Sequence, residues 1–124
     1  MKAKILVIED DVQVTAAIRQ TLECAGYQVI DAVDGDRALR IFRLQPVQLV
    51  IIDIILFGKN GLEVIQEIKA GYPEAKMITM SAGGGEPDDA LLKAAKDLGA
   101  DRTFLKPFYP HQMLEAVEQL LCET

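Results

Sequence analysis

Glu9-Asp10-Asp11, Asp53, Ser81 and Lys106 are the side chains of this sequence best suited to metal or group-transfer chemistry. Asp53 is the least expected of them, because it interrupts LVIIDIIL, the most apolar run in the chain. An ionised carboxylate buried without partners costs on the order of several kcal/mol or takes up a proton. A carboxylate in such a run either caps a turn or does chemistry. Carboxylates gathered at one place repel one another, so a positive charge must sit among them. Lys106 supplies one charge, and a hard divalent cation with oxygen ligands is the natural remainder. Mg²⁺ suits a few carboxylates that leave it several waters and a shared phosphate oxygen. A carboxylate beside such a cation can act as a nucleophile and form an aspartyl phosphate. Metal, ammonium and hydroxyl can each neutralise one oxygen of the incoming phosphoryl group.

These residues meet only if the chain carries them to one edge. Short β-rich runs alternate with amphipathic stretches. KILVI at Lys4 to Ile8, YQVIDA from Tyr27, VQLVII from Val47, KMITMS from Lys76 and RTFL from Arg102 read as strands. Between them, apolar residues recur at helical spacing, with Gly26, Gly71 and Gly99 as stop signals and Pro110 opening a last helix. Alternation of this kind predicts an α/β, (βα)5 doubly wound, five-stranded parallel sheet of flavodoxin-like order 2-1-3-4-5, one unit over residues 1–124. Ligands of such sheets sit beyond the carboxyl ends of the strands. Glu9-Asp10, Asp53, Ser81 and Lys106 stand at those ends on strands 1, 3, 4 and 5.

The 124 residues suffice for one core, and 50% hydrophobic with 26% charged residues fits a globular protein. A net charge of −6 without a Lys/Arg cluster disfavours direct nucleic-acid binding. Cys24 and Cys122 have no framework spacing and read as free thiols of a cytoplasmic protein. No leader is visible, and no run approaches the ~20 residues of a membrane span.

The set ILVIEDD, IIDIILFGKNG, MITMSA and FLKPF resembles the response-regulator receiver domains of two-component signalling, over the chain from Lys4 to the last helix. The resemblance implies that Asp53 takes a phosphoryl group from a sensor histidine kinase or a phosphotransfer protein. It implies Mg²⁺ on Asp10, Asp53 and the backbone carbonyl of Ile55, with Glu9 acting mainly through water. Ser81 becomes the switch hydroxyl and Lys106 the phosphate-contacting lysine. Gly61 matches the family's glycine after strand 3, and Lys106-Pro107 its often cis proline bond. Such a module catalyses only its own phosphorylation and dephosphorylation. Its output face is strand 4, helix 4 and strand 5; the downstream target stays open.

Each residue also has a plainer reading. Asp11 reads as an N-cap, Ser81 alone as a loop serine, Lys106 alone as a solvated lysine, and His111, the only histidine, as a surface residue. Gly83-Gly84-Gly85 reads as a loop, since no Lys-Ser/Thr follows, and Met77 and Met80 read as core. Three departures from the family pattern stand out. Thr103 occupies the position of the family's switch aromatic, Phe57 that of its proline, and GGGEPDD lengthens the loop after Ser81. Ile55 and Gly83 lack the polar side chains that often guide water in this family, so slow self-dephosphorylation is expected. Competing readings are a phosphorylation-independent interaction module, a haloacid-dehalogenase-type phosphatase, which would need Asp-x-Asp after its first strand, and an FMN carrier, whose phosphate the acids after strand 1 would repel.

Overall fold

The computed structural model describes residues 3–55, 61–81 and 86–122, with only the backbone for residues 86–89 and 91. In chain order the elements are β1 (Lys4–Ile8), α1 (Val12–Cys24), β2 (Gln28–Ala32), α2 (Gly35–Leu44), β3 (Leu49–Asp53), α3 (Gly61–Gly71), β4 (Lys76–Ser81), α4 (Glu86–Asp97), β5 (Arg102–Leu105) and α5 (Pro110–Cys122). The strands form one parallel sheet in the order β2-β1-β3-β4-β5, as the alternation of elements predicts.

Successive residues of the central strands face opposite ways and feed two cores. Leu6, Ile8, Val50 and Ile52 pack with Leu39 and Phe42 of α2, Val64, Ile65 and Ile68 of α3 and Ala95 of α4. Ile5, Val7, Leu49 and Ile51 pack with Ile18 and Leu22 of α1 and Met113, Val117 and Leu120 of α5. Both faces of β3 are therefore covered, which is why all five of its residues are buried and its sequence is continuously apolar up to Asp53. Met77 and Met80 are fully buried, as expected of core residues.

Local chemistry sets the helix ends. Asp11 caps α1, accepting from the amides of Gln13 and Val14, and Asp34 caps α2, accepting from Arg37 N at 2.8 Å. Pro110 is the first residue of α5, where its missing N–H leaves no helical bond unmade. β3 begins at Leu49, two residues after the expected Val47, because pairing with β1 starts at Ile5 opposite Leu49. It also includes Asp53, paired with Met80 of β4. The carboxylate is thus the last rung of the ladder, not the first residue of a loop.

Candidate functional site

The carboxyl ends of β1, β3, β4 and β5 bring the four groups together. Glu9 stays in register with the sheet because its amide donates to Ala32 O at 3.0 Å, one step beyond the last β1–β2 rung. Its side chain is held in the interior, 2% of the residue remaining exposed. Asp10 is half-buried beside it, and Asp11 turns away to cap α1. One carboxylate oxygen from each of Glu9, Asp10 and Asp53 lies within 4.8 Å of the others, an all-oxygen donor group of the kind a hard divalent cation takes.

Lys106 enters from the end of β5. Its amide donates to Ser81 O at 2.8 Å, which fixes the loop against β4. Its Nζ reaches Asp53 Oδ2 at 2.6 Å and Glu9 Oε2 at 2.9 Å, so a single ammonium spans two acids. The bond from Lys106 to Pro107 is cis, as the resemblance implied. Asp53 Oδ1 accepts from Ile55 N at 2.9 Å, which leaves each of its oxygens with one donor. Ile55 itself is exposed at the mouth of the site.

Two acids against one ammonium leave charge unbalanced, and the proton affinities record it. Burial pushes the Glu9 carboxyl up, from 4.5 to about 7, and adjacency to Asp53 adds to the rise; Lys106 only partly offsets it. Burial disfavours the Lys106 ammonium, but its bonds to Asp53 and Glu9 prevail and hold its pKa above the ordinary value. The site therefore retains a proton near neutrality where a second cation would serve better. The donor set and this charge deficit both fit Mg²⁺.

Ser81 lies one residue beyond Met80, the β4 partner of Asp53. Its side chain is fully buried, and its Oγ has no hydrogen-bond partner among the described residues. Buried hydroxyls are nearly always bonded, so an orphan beside a reactive carboxylate marks a place for a ligand oxygen.

Of the residues singled out in the sequence, Glu9, Asp10, Asp53, Lys106 and Ser81 thus stand on one rim. The reason for Gly61 is steric. A Cβ there would lie 2.4 Å from Ile54 O and 2.6 Å from Ile54 Cα, and its amide donates to that same oxygen at 2.8 Å. Thr103 is exposed, while Phe104 is half-buried and pairs with Phe108 at 5.4 Å between centroids, so the aromatic next to Thr103 points to the other face. His111 is exposed and stacks on Tyr109 at 5.7 Å, and both cysteines are free and exposed. Phe57 and Gly83 to Gly85 lie outside the described residues. The Asp34 cap escaped the sequence reading, although an Asp just before a helical run is a recognisable signal. No helix among the described residues is long and apolar enough to cross a membrane.

The family model for the response regulator receiver domain matches residues 5–118. A probable transcriptional regulator, ycf27 of Cyanophora paradoxa, is 33% identical over 99% of this chain and 50% of its own length. The alkaline phosphatase synthesis transcriptional regulatory protein PhoP of Bacillus subtilis is 31% identical over 98% of this chain and 49% of its own. The chain spans about half the length of these regulators, but 95% of the sporulation initiation phosphotransferase F of Bacillus subtilis, at 31% identity. Among solved structures, the receiver domain of NtrX from Brucella abortus superposes with a TM-score of 0.90 at 29% identity, over 97% of this chain and 99% of that one. The chain belongs to the response regulator receiver domain family.

Proposed function

We propose that residues 1–124 act as one phosphorylation switch in which Asp53 is the phosphoacceptor. The observation that carries this reading is Asp53 itself: a buried carboxylate, clustered with Glu9 and Asp10 and held 2.6 Å from Lys106 Nζ. The donor is a phosphohistidine on a sensor histidine kinase or a phosphotransfer protein. An Asp53 oxygen forms the new P–O bond as the P–N bond breaks, and the freed imidazole recovers a proton from solvent. Mg²⁺ bound to Asp10, Asp53 and the Ile55 carbonyl, with Glu9 through water, would neutralise acid and phosphoryl charge together.

The protein's own groups do the rest. Ile55 N orients the Asp53 carboxylate. The Lys106 ammonium is already positioned beside the acceptor and remains to pair with a phosphoryl oxygen. Ser81 Oγ, without a partner among the described residues, gains one when it turns to the phosphoryl group. That movement pulls the end of β4 and the segment that follows it, which carries the signal to the face of β4, α4 and β5. The module acts catalytically only on its own Asp53. Thr103 offers no aromatic ring to follow Ser81, so the output runs through the backbone after β4. This chain's acidity argues against its own contact with nucleic acid, even though several relatives are named as transcriptional regulators.

Intact-mass measurement after incubation with acetyl phosphate and Mg²⁺ tests the reading. One added phosphoryl group on the native chain and none on Asp53→Ala is the expected result; equal labelling of both proteins would overturn it.

A further inference from the structure

At the opposite end of the molecule a trough runs between α2 and α3. Its upper part, about 460 Å³, is walled by Arg40, Arg43 and Leu44 of α2 and by Glu67 of α3. A middle section of about 370 Å³ shares Arg43 and Glu67 and has Ile68 and Tyr72 in its floor. The lower section, about 520 Å³, opens around Phe42, Tyr72 and Pro46, just before the first residues of β3 and β4. Phe42 and Tyr72 meet edge-on, 4.5 Å between centroids, and join the lower two sections into one apolar floor. Leu44 is 76% and Tyr72 44% exposed, so the rim is apolar as well.

The charges along this trough are unevenly satisfied. Arg37, Arg40 and Arg43 recur every third residue and form a stripe along α2. All three are exposed, and no ion pair is recorded for them among the described residues. Asp36 and Glu67, the acids of the upper section, have partners of their own. A chain of net charge −6 thus concentrates unpaired positive charge beside an apolar groove. Nucleic acid is the wrong complement, since the rest of the surface repels phosphate and the floor is apolar. A membrane is too flat for a concave trough between two helices. A rod with one apolar and one acidic face matches shape and charge together.

We propose that the α2–α3 trough is a docking site for an acidic amphipathic helix of a partner protein. The helix lays its apolar face over Phe42, Tyr72 and Leu44, and its carboxylates pair with Arg40 and Arg43. The site begins at the amino ends of β3 and β4, away from Asp53, so it stands independently of the phosphoacceptor reading.

The test is a nitrogen-15 NMR and fluorescence-anisotropy titration of the full chain with a synthetic helix carrying Leu at positions i, i+3, i+4 and i+7 and Glu elsewhere. Shifts centred on Leu39, Arg43, Ile68 and Tyr72 are expected. A paired R40E/R43E variant should bind at least about tenfold more weakly, the loss of roughly 1.4 kcal/mol or more. A matching helix with Lys for Glu should regain affinity on that variant, which separates charge recognition from damage to the fold. Absence of shifts on α2 and α3 at millimolar peptide, or equal weakening toward both helices, overturns the proposal. So does tighter Arg40/Arg43-dependent binding of duplex DNA or anionic vesicles, or self-association abolished by R40E/R43E. Phosphoryl uptake from acetyl phosphate should be the same in variant and native chain; its absence from both would refute only the phosphoacceptor.

Discussion

Gly61→Ala should damage both stability and the site, because the new methyl group has nowhere to go. Its Cβ would stand 2.4 Å from Ile54 O, 2.6 Å from Ile54 Cα and 2.7 Å from Ile54 C, all backbone atoms of the residue after Asp53. No side chain can rotate aside, so β3 and α3 must separate. Overpacking of this kind costs about 1–3 kcal/mol. Lengthening the 2.8 Å bond from Gly61 N to Ile54 O forfeits up to about 1 kcal/mol more. Alanine's helix propensity returns less than about 1 kcal/mol at a first helical position. A net loss of about 2 kcal/mol corresponds to a fall of roughly 5–10 °C in Tm for a domain of this size. Gly71→Ala is the control: nothing lies within 4 Å of its added Cβ, so Tm should hold or rise slightly. Calorimetric melts of both variants, with the rate of phosphorylation by acetyl phosphate, check the reasoning. Since Ile54 joins Asp53 to Ile55, whose amide orients the carboxylate, Gly61→Ala should also slow phosphoryl uptake. A Gly61→Ala protein that melts with the native one and is phosphorylated at the native rate would refute it.

Mg²⁺ affinity should weaken as pH falls through about 7, by at most about tenfold per unit, because Glu9 then keeps a proton the cation must displace; calorimetric titrations from pH 6 to 8 should show the slope, and Glu9→Gln should flatten it. The same raised carboxyl pKa means that the metal-free protein is stabilised by the Glu9 proton, fully below pH 4.5, and loses that stability as pH rises through about 7; Tm should fall from pH 6 to 8 without Mg²⁺ and recover when it is added. Lys106→Met removes the charge that competes for Asp53 and Glu9, so Mg²⁺ should bind about threefold to tenfold more tightly, on the order of 1 kcal/mol, while phosphoryl uptake slows; unchanged affinity in a titration would contradict this. Self-dephosphorylation should take minutes or longer, and Ile55→Asn should shorten it; a native half-life of seconds, followed by loss of the phosphorylated mass, would exclude the expectation.

The sheet and its rim were legible because β1, β3 and β4 are covered on both faces. Coverage forces continuous apolar runs, and a polar residue that ends such a run marks the strand end at which ligands bind. Asp53 stood out for that reason, and Glu9, Ser81 and Lys106 followed from strand order alone. The pairing of those residues was not legible. That Lys106 bridges Asp53 and Glu9, across 97 residues of sequence separation in the second case, depends on side-chain reach at the rim. The start of β3 was misread because Val47 has a β-former's side chain, whereas the ladder begins where β1 supplies a partner. The α2–α3 trough was invisible for a related reason: three arginines on one helix read as solvated until the neighbouring helix places an apolar floor beside them.

Peptide mapping after acetyl phosphate labelling and borohydride reduction, with Mg²⁺ and with a chelator, reaches the central claim most directly. The modification should fall on Asp53 alone and disappear when the cation is removed. Label on another residue, or label on Asp53 that forms equally well in chelator, would contradict a centre built from Glu9, Asp10, Asp53 and Lys106 around one divalent ion.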